Sequence, residues 1–224
     1  MSFGDKKLSE IAVSVPGSTS LLRKYDLDFC CGGSDTLANA VAEKGLNLAE
    51  IETRLTELQN SKAENPEEYW VNATYPEIID HILVRYHQRH REQLQELIVL
   101  ADRVESVHGD REDCPMGVAA ELRNIYEDLS NHMMKEEHVL FPMIKAGNYM
   151  MAQMPIRMME MEHAEHGEHL DVLKSLTNNM TPPADACNTW RALYSGIQEF
   201  ADDLMMHIHR ENNILFPRVI AENH

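Results

Sequence analysis

From Pro76 to the end of the chain, apolar residues recur at three- and four-residue intervals over long stretches, the period of one helix face. Four long helices are predicted. The first, about Pro76 to Val107, lines up Ile79, Leu83, Leu94 and Ile98; the second, about Met116 to Lys145, lines up Leu122, Ile125, Leu129 and Leu140. The third starts near Pro155, a good first-turn residue, and carries Ile156, Met159, Leu170 and Leu173. The fourth follows Thr181-Pro182-Pro183 and carries Leu193, Ile197, Phe200, Leu204 and Ile214. Before residue 60 the pattern is different: short helices over Leu8 to Val15 and Ser18 to Tyr25, one from Ser34 or Asp35 to Gly45, and one opened by the capping pattern Asn47-Leu-Ala-Glu50. The expectation is an all-α protein with a small helical domain over 1–60, a linker over 61–75, and an up-down four-helix bundle over 76–224.

Polar residues interrupt the apolar stripes in a repeated way. His132 to Pro142 and His207 to Pro217 both read H-x3-E-x3-L-F-P, and His87 to Leu94 and His163 to Leu170 both read H-x2-H-x-E-x-L. Residues four apart on a helix are neighbours on one face, so His132 and Glu136, and likewise His207 and Glu211, point at one spot. The copies lie 75 residues apart for His132 and His207 and 76 apart for His87 and His163, which marks an internal duplication of a two-helix unit.

Carboxylates on a buried face need a compensating cation, because desolvation costs several kcal/mol per ion. No lysine or arginine lies on the stripes at this level, and imidazoles surround the acids. His87, His132, His163 and His207 with Glu136 and Glu211 as shared bridges would give each of two metals two imidazoles and two carboxylates. Such mixed donors suit iron, and also zinc or manganese. A lone inward histidine is more often a hydrogen-bonded core residue; its recurrence in register with H-x3-E is what assigns it to a centre. His90 and His166 border the same face as outer partners or alternates, whereas His138, His169, His209 and His108 are read mostly as surface residues. The prolines of the L-F-P segments are expected to bend their helices beyond the ligands.

A net charge of -17 excludes a phosphate backbone as a natural partner. No apolar run is long enough to span a membrane, and Met1 to Glu10 has no signal-peptide core, so a cytoplasmic protein is expected. Fourteen methionines are unusual, and those in helical stretches are expected to pack. Cys30 and Cys31 stand side by side before Gly32-Gly33, a poor geometry for a mutual disulfide and a place where a following helix N-terminus would lower a thiol pKa. A reactive or iron-binding thiol pair is the reading for them.

Tyr25-Asp-Leu-Asp-Phe-Cys-Cys-Gly-Gly, Ile79-Asp-His-Ile-Leu-Val-Arg-Tyr-His87, His132 to Glu136 with its L-F-P-M-I, and His207 to Pro217 together resemble the Repair of Iron Centres family over essentially the whole chain. The resemblance implies a paired-cysteine domain joined to a hemerythrin-like bundle with two non-haem iron ions, bridged by oxo and carboxylate groups. It implies the six ligands above, a thiol role for Cys30 and Cys31, and Glu162 lining access to the metals. The implied function is repair of iron-sulfur clusters damaged by nitrosative or oxidative stress, with damaged iron-sulfur proteins and small molecules such as nitric oxide or oxygen as partners, and a homodimer as a compatible state. Nitric oxide reduction to nitrous oxide, or oxygen or iron sensing, are the alternatives. Against hemerythrin itself, Gly167 stands where a second histidine would follow His163, and Glu211 lies four residues after His207 rather than an aspartate at five, which disfavours simple oxygen carriage.

Overall fold

The computed structural model describes residues 2–61 and 64–222, and among them the regular structure is helical, with one isolated bridge between Lys7 and Thr36. The chain divides into two compact units, residues 79–205 and residues 1–78 with 206–224.

In the first of these, α7 (Gln88–His108), α8 (Val118–Lys135), α10 (Tyr149–Leu176) and most of α11 (Asn188–Arg210) form an all-helical bundle. The helix α8 packs on both α7 and α10. Arg85 and Gln93 reach Asp203, and His90 meets the Phe200 ring edge-on, which brings α11 against α7. Every apolar residue expected inward on the second, third and fourth helices is buried. The first helix differs. After α6 (Tyr75–His81) a π-helical turn runs Ile82–His87, and its extra residue rotates the inward face, so that Leu97, Ala101 and Val104 are buried while Leu83 and Ile98 are only half-buried.

Two further π turns follow α8 and α11, Glu136–Leu140 and Glu211–Leu215, leading into α9 (Phe141–Lys145) and α12 (Phe216–Ala221). Pro142 and Pro217 sit in the first turn of these short helices, where a missing N–H costs nothing. The expected bend is therefore realised as a wide turn with a fresh helix start. Another expectation is corrected at Pro155: α10 begins six residues earlier, at Tyr149, and carries the proline internally. The methionines are corrected too. Met150, Met151, Met154, Met158 and Met161 are all exposed on α10 rather than packed.

The other unit holds α1 (Leu8–Ser14), α2 (Ser18–Lys24), α3 (Leu37–Glu43), α4 (Leu48–Asn60) and α5 (Pro66–Asn72), together with the chain from Met206 onward. Asn47 caps α4 by accepting from the Glu50 N–H at 3.3 Å, as its pattern predicts. Thr36, not Ser34 or Asp35, caps α3. Within the stretch read as a linker, Asn65 caps α5 and the side chain of Glu67 is buried. Phe3, Ile11, Leu22, Leu27, Phe29, Ile51 and Leu55 supply the core of the N-terminal helices.

Leu129 is fully buried and Met154 is 70% exposed. Leu129→Ala should lower the unfolding free energy by about 2–5 kcal/mol, and Met154→Ala should change it by no more than about 0.5 kcal/mol. Urea unfolding of both variants measures the contrast.

Candidate metal centre

The stripe residues that are polar in sequence are among the most deeply buried polar groups of the described residues. His87, His163, His207, Glu136 and Glu211 have no exposure, and His132 has 1%. Each lies at a π turn or one helical turn from it, except His163 in the middle of α10: His87 ends the first π turn, Glu136 opens the second and Glu211 opens the third. Such turns are frequent at functional sites because they turn side chains inward that a regular helix would place elsewhere.

Glu136 Oε2 lies 3.3 Å from His87 Nε2 and 3.4 Å from His132 Nε2. His132 Nε2 also faces His163 Nε2 at 3.1 Å, and His207 Nε2 lies 3.3 Å from Glu211 Oε1. These separations exceed those of charge-assisted hydrogen bonds, which run at about 2.7–2.9 Å. They match the edges of a coordination shell, since donors bound at about 2.0–2.1 Å and at right angles stand about 3 Å apart. Neither oxygen of Glu136 receives a hydrogen bond among the described residues. Within residues 79–205 the donors of His87, His132, Glu136 and His163 stand together, and within the other unit those of His207 and Glu211 do; each belongs to a group of buried donors that could hold a metal ion. The chemistry of these donors fits a metal ion.

The outer faces of two imidazoles are held by acids. His87 Nδ1 is 2.8 Å from Glu137 Oε1, which also accepts from Arg91 at 2.7 Å. His132 Nδ1 is 2.9 Å from Glu162 Oε2, and Lys135 binds the other oxygen of that carboxylate. An Nδ1–H given to a carboxylate leaves the Nε2 lone pair pointing inward, the tautomer a metal needs. The ring of Phe141 stacks on His87 at 5.8 Å. Glu162, read from sequence as lining access, is thus placed on His132. Glu137, Arg91 and Lys135 were missed; Glu137 directly follows a stripe residue, and periodicity says nothing of a neighbour that reaches back.

Other histidines fall as follows. His90 and His166 are buried, His90 beside Gln93 and His166 edge-on to His132 at 5.0 Å. His138 is exposed; His169 is half-buried between Glu121 and Asp128, and His108 lies 3.3 Å from the Cys187 sulfur. The surface reading of His209 is corrected. It is fully buried, edge-on to Phe29, with Nε2 3.4 Å from Glu67 and Nδ1 2.8 Å from the Asn213 amide. Burial drives its pKa below the ordinary histidine value.

All four cysteines are thiols, and the Cys30 and Cys31 sulfurs are 3.8 Å apart. The expected helix N-terminus is absent behind them, since α3 begins at Leu37. Asp28 takes its place. Its carboxylate accepts from the N–H groups of Cys30, Cys31 and Gly32 at 2.8–3.0 Å, and from the Cys30 sulfur at 3.2 Å. Hydrogen bonding with Cys31 and burial, aided by this acid, raise the Cys30 pKa well above the ordinary thiol value, so the lowered pKa expected there is corrected. Asp28, Cys30 and Cys31 form a further group that could hold a metal ion. At Gly33 a Cβ would come within 2.5 Å of the Phe29 carbonyl oxygen, which explains the second glycine of the motif.

Residues 78–219, which carry these inward imidazoles and acids, match the family described as hemerythrin HHE cation binding domain, while residues 4–59 match a domain of unknown function, DUF542. The chain belongs to the hemerythrin family. It is 67% identical, over 99% of its length and all of the relative's, to a "Probable iron-sulfur cluster repair protein" of Haemophilus influenzae. It is 54% identical to proteins named iron-sulfur cluster repair protein YtfE from Musicola paradisiaca, covering 98% of both chains, and from Escherichia coli, covering 99% of both. No helix among the described residues of this hemerythrin-family chain is long and apolar enough to cross a membrane.

The outer acids give the metal-free protein a pH signature. A hydrogen bond with His87, then Arg91, holds the Glu137 pKa at about 2 against burial, and His132, then Lys135, do the same for Glu162. A depressed carboxylate pKa stabilises the fold fully above the unfolded value of about 4.3, and the contribution is lost as pH falls towards the folded value. In urea titrations of metal-free protein, Glu137→Gln and Glu162→Gln should lower the midpoint at pH 6 and flatten its decline below about pH 4.3. An unchanged acid limb in both variants would contradict these pairings.

Proposed function

We propose that the chain binds two iron ions through His87, His132, His163 and His207, with Glu136 and Glu211 shared between them, and that it repairs iron-sulfur clusters damaged by nitric oxide or peroxide. The observation that carries this is the fully buried Glu136 carboxylate, which meets imidazole nitrogens on two sides and receives no hydrogen bond among the described residues. Imidazole and carboxylate together favour iron over soft-ligand metals. The printed names of relatives that match nearly the whole chain support the repair reading.

Iron in such donors supplies both a Lewis-acidic, redox-active position for a small molecule and a store of the metal itself. The chain's part is to hold the donors ready. Glu137 and Glu162 keep the His87 and His132 protons on Nδ1 and direct both Nε2 atoms inward. Burial and the Phe141 ring keep water from the imidazoles, which strengthens each donor. Iron delivered to a damaged cluster is the substrate of this reading, and the thiols of Cys30 and Cys31 assist its transfer. Cytoplasmic residence goes with that role.

The test is a cluster-depleted dehydratase incubated without air with the iron-loaded chain. Activity should return with the natural chain and not with His132→Ala, and Glu162→Ala should weaken iron binding by about 10–100-fold. Restoration by metal-free protein contradicts delivery. Catalytic release of nitrous oxide from added nitric oxide would favour a reductase instead.

A further inference from the structure

The duplicated H-x3-E segments differ where they are not ligands. Met134, Lys135, Glu137 and His138 of the first correspond to His209, Arg210, Asn212 and Asn213 of the second. In the first copy Glu137 holds a ligand, His87. In the second copy all four non-ligand residues hold the N-terminal elements of their own unit. Arg210 and His209 engage the buried carboxylate of Glu67 on α5, with the Arg210 guanidinium over the Trp70 ring at 4.8 Å. The Asn212 amide donates to the Cys30 carbonyl at 3.0 Å, and the Asn213 amide donates to the Phe29 carbonyl at 2.8 Å while also bonding His209. The residues between and beside His207 and Glu211 thus grip the loop that carries the paired thiols.

We infer that Asn212 and Asn213 are positioning residues that couple metal occupancy at Glu211 to the accessibility of Cys30. Cys30 is 5% exposed, so a reagent reaches its sulfur only when the loop opens. Both amides that restrain the loop project from the π turn Glu211–Leu215, whose first residue is the ligand. A metal that fixes Glu211 stiffens the turn, and the turn holds the Phe29 and Cys30 carbonyls. Loss of metal loosens the grip and exposes the thiol. Charge repulsion or helix dipoles are not needed, since the link consists of two amide hydrogen bonds.

The inference rests on the proposed iron centre, and its test separates the two. The full-length protein, with and without iron(II), is labelled anaerobically with a maleimide, and mass spectrometry reads the rate at Cys30 relative to exposed Cys187. Iron should slow Cys30 labelling at least about fivefold, the lower end of coupling between sites. Asn212→Asp/Asn213→Asp, which keeps the side-chain shape and removes the donors, should abolish the slowing while iron content stays that of the natural chain. The Asn212→Ala/Asn213→Ala pair should do the same. Glu211→Ala, which removes the proposed ligand on the turn itself, should also abolish it; slowing that persists there means iron on the thiols themselves and overturns the inference. So does persistence in the asparagine variants. Failure to bind iron at all counts instead against the centre, whereas iron binding without any change at Cys30 counts against the coupling alone.

Discussion

A carboxylate flanked by imidazoles, without a hydrogen-bond donor among the described residues, is the constraint on which this structure turns. Glu136 is fully buried, and its Oε2 lies 3.3 and 3.4 Å from the Nε2 atoms of His87 and His132. Those rings turn their Nδ1 atoms to Glu137 and Glu162, and in the Nδ1–H tautomer their Nε2 lone pairs face the acid. Without a cation this would be a repulsive arrangement in a poorly solvated place. With one it is a ligand set.

Three π turns put the donors where that constraint needs them. Each sits beside a ligand, and each is followed or preceded by regular helix that carries the packing. The duplication supplied two equivalent ligand turns, and divergence around the ligands gave them different neighbours. One turn is braced by Arg91 and Glu137, while the other braces the thiol loop through Asn212 and Asn213. The repeated H-x3-E pairs therefore coexist with two different sets of outer contacts.

Much of this was legible before any coordinates. The helical period placed the long helices, and the two H-x3-E segments needed only the i, i+4 rule to be seen as donor pairs. The outer partners were not legible. Glu67 meets Arg210 across 143 positions of sequence, and no period links them. A π turn leaves no mark that separates it from a kink, so Leu83 and Ile98 were assigned to a face that the extra residue rotates away. The thiol pKa was misread because a helix start was expected at Ser34 or Asp35, whereas α3 begins at Leu37. Asp28, two residues before Cys30, was the available signal, since aspartate commonly bonds backbone N–H groups just ahead of it. The exposed methionines of α10 show the same limit: helical spacing tells which residues share a face, not whether that face is covered.

The most direct test is diffraction from crystals of the iron-loaded chain at the iron absorption edge. The account predicts two anomalous peaks about 3.5–4 Å apart, each within bonding distance of two imidazoles and sharing Glu136 and Glu211. A single peak, or iron found only at Asp28, Cys30 and Cys31, would contradict it.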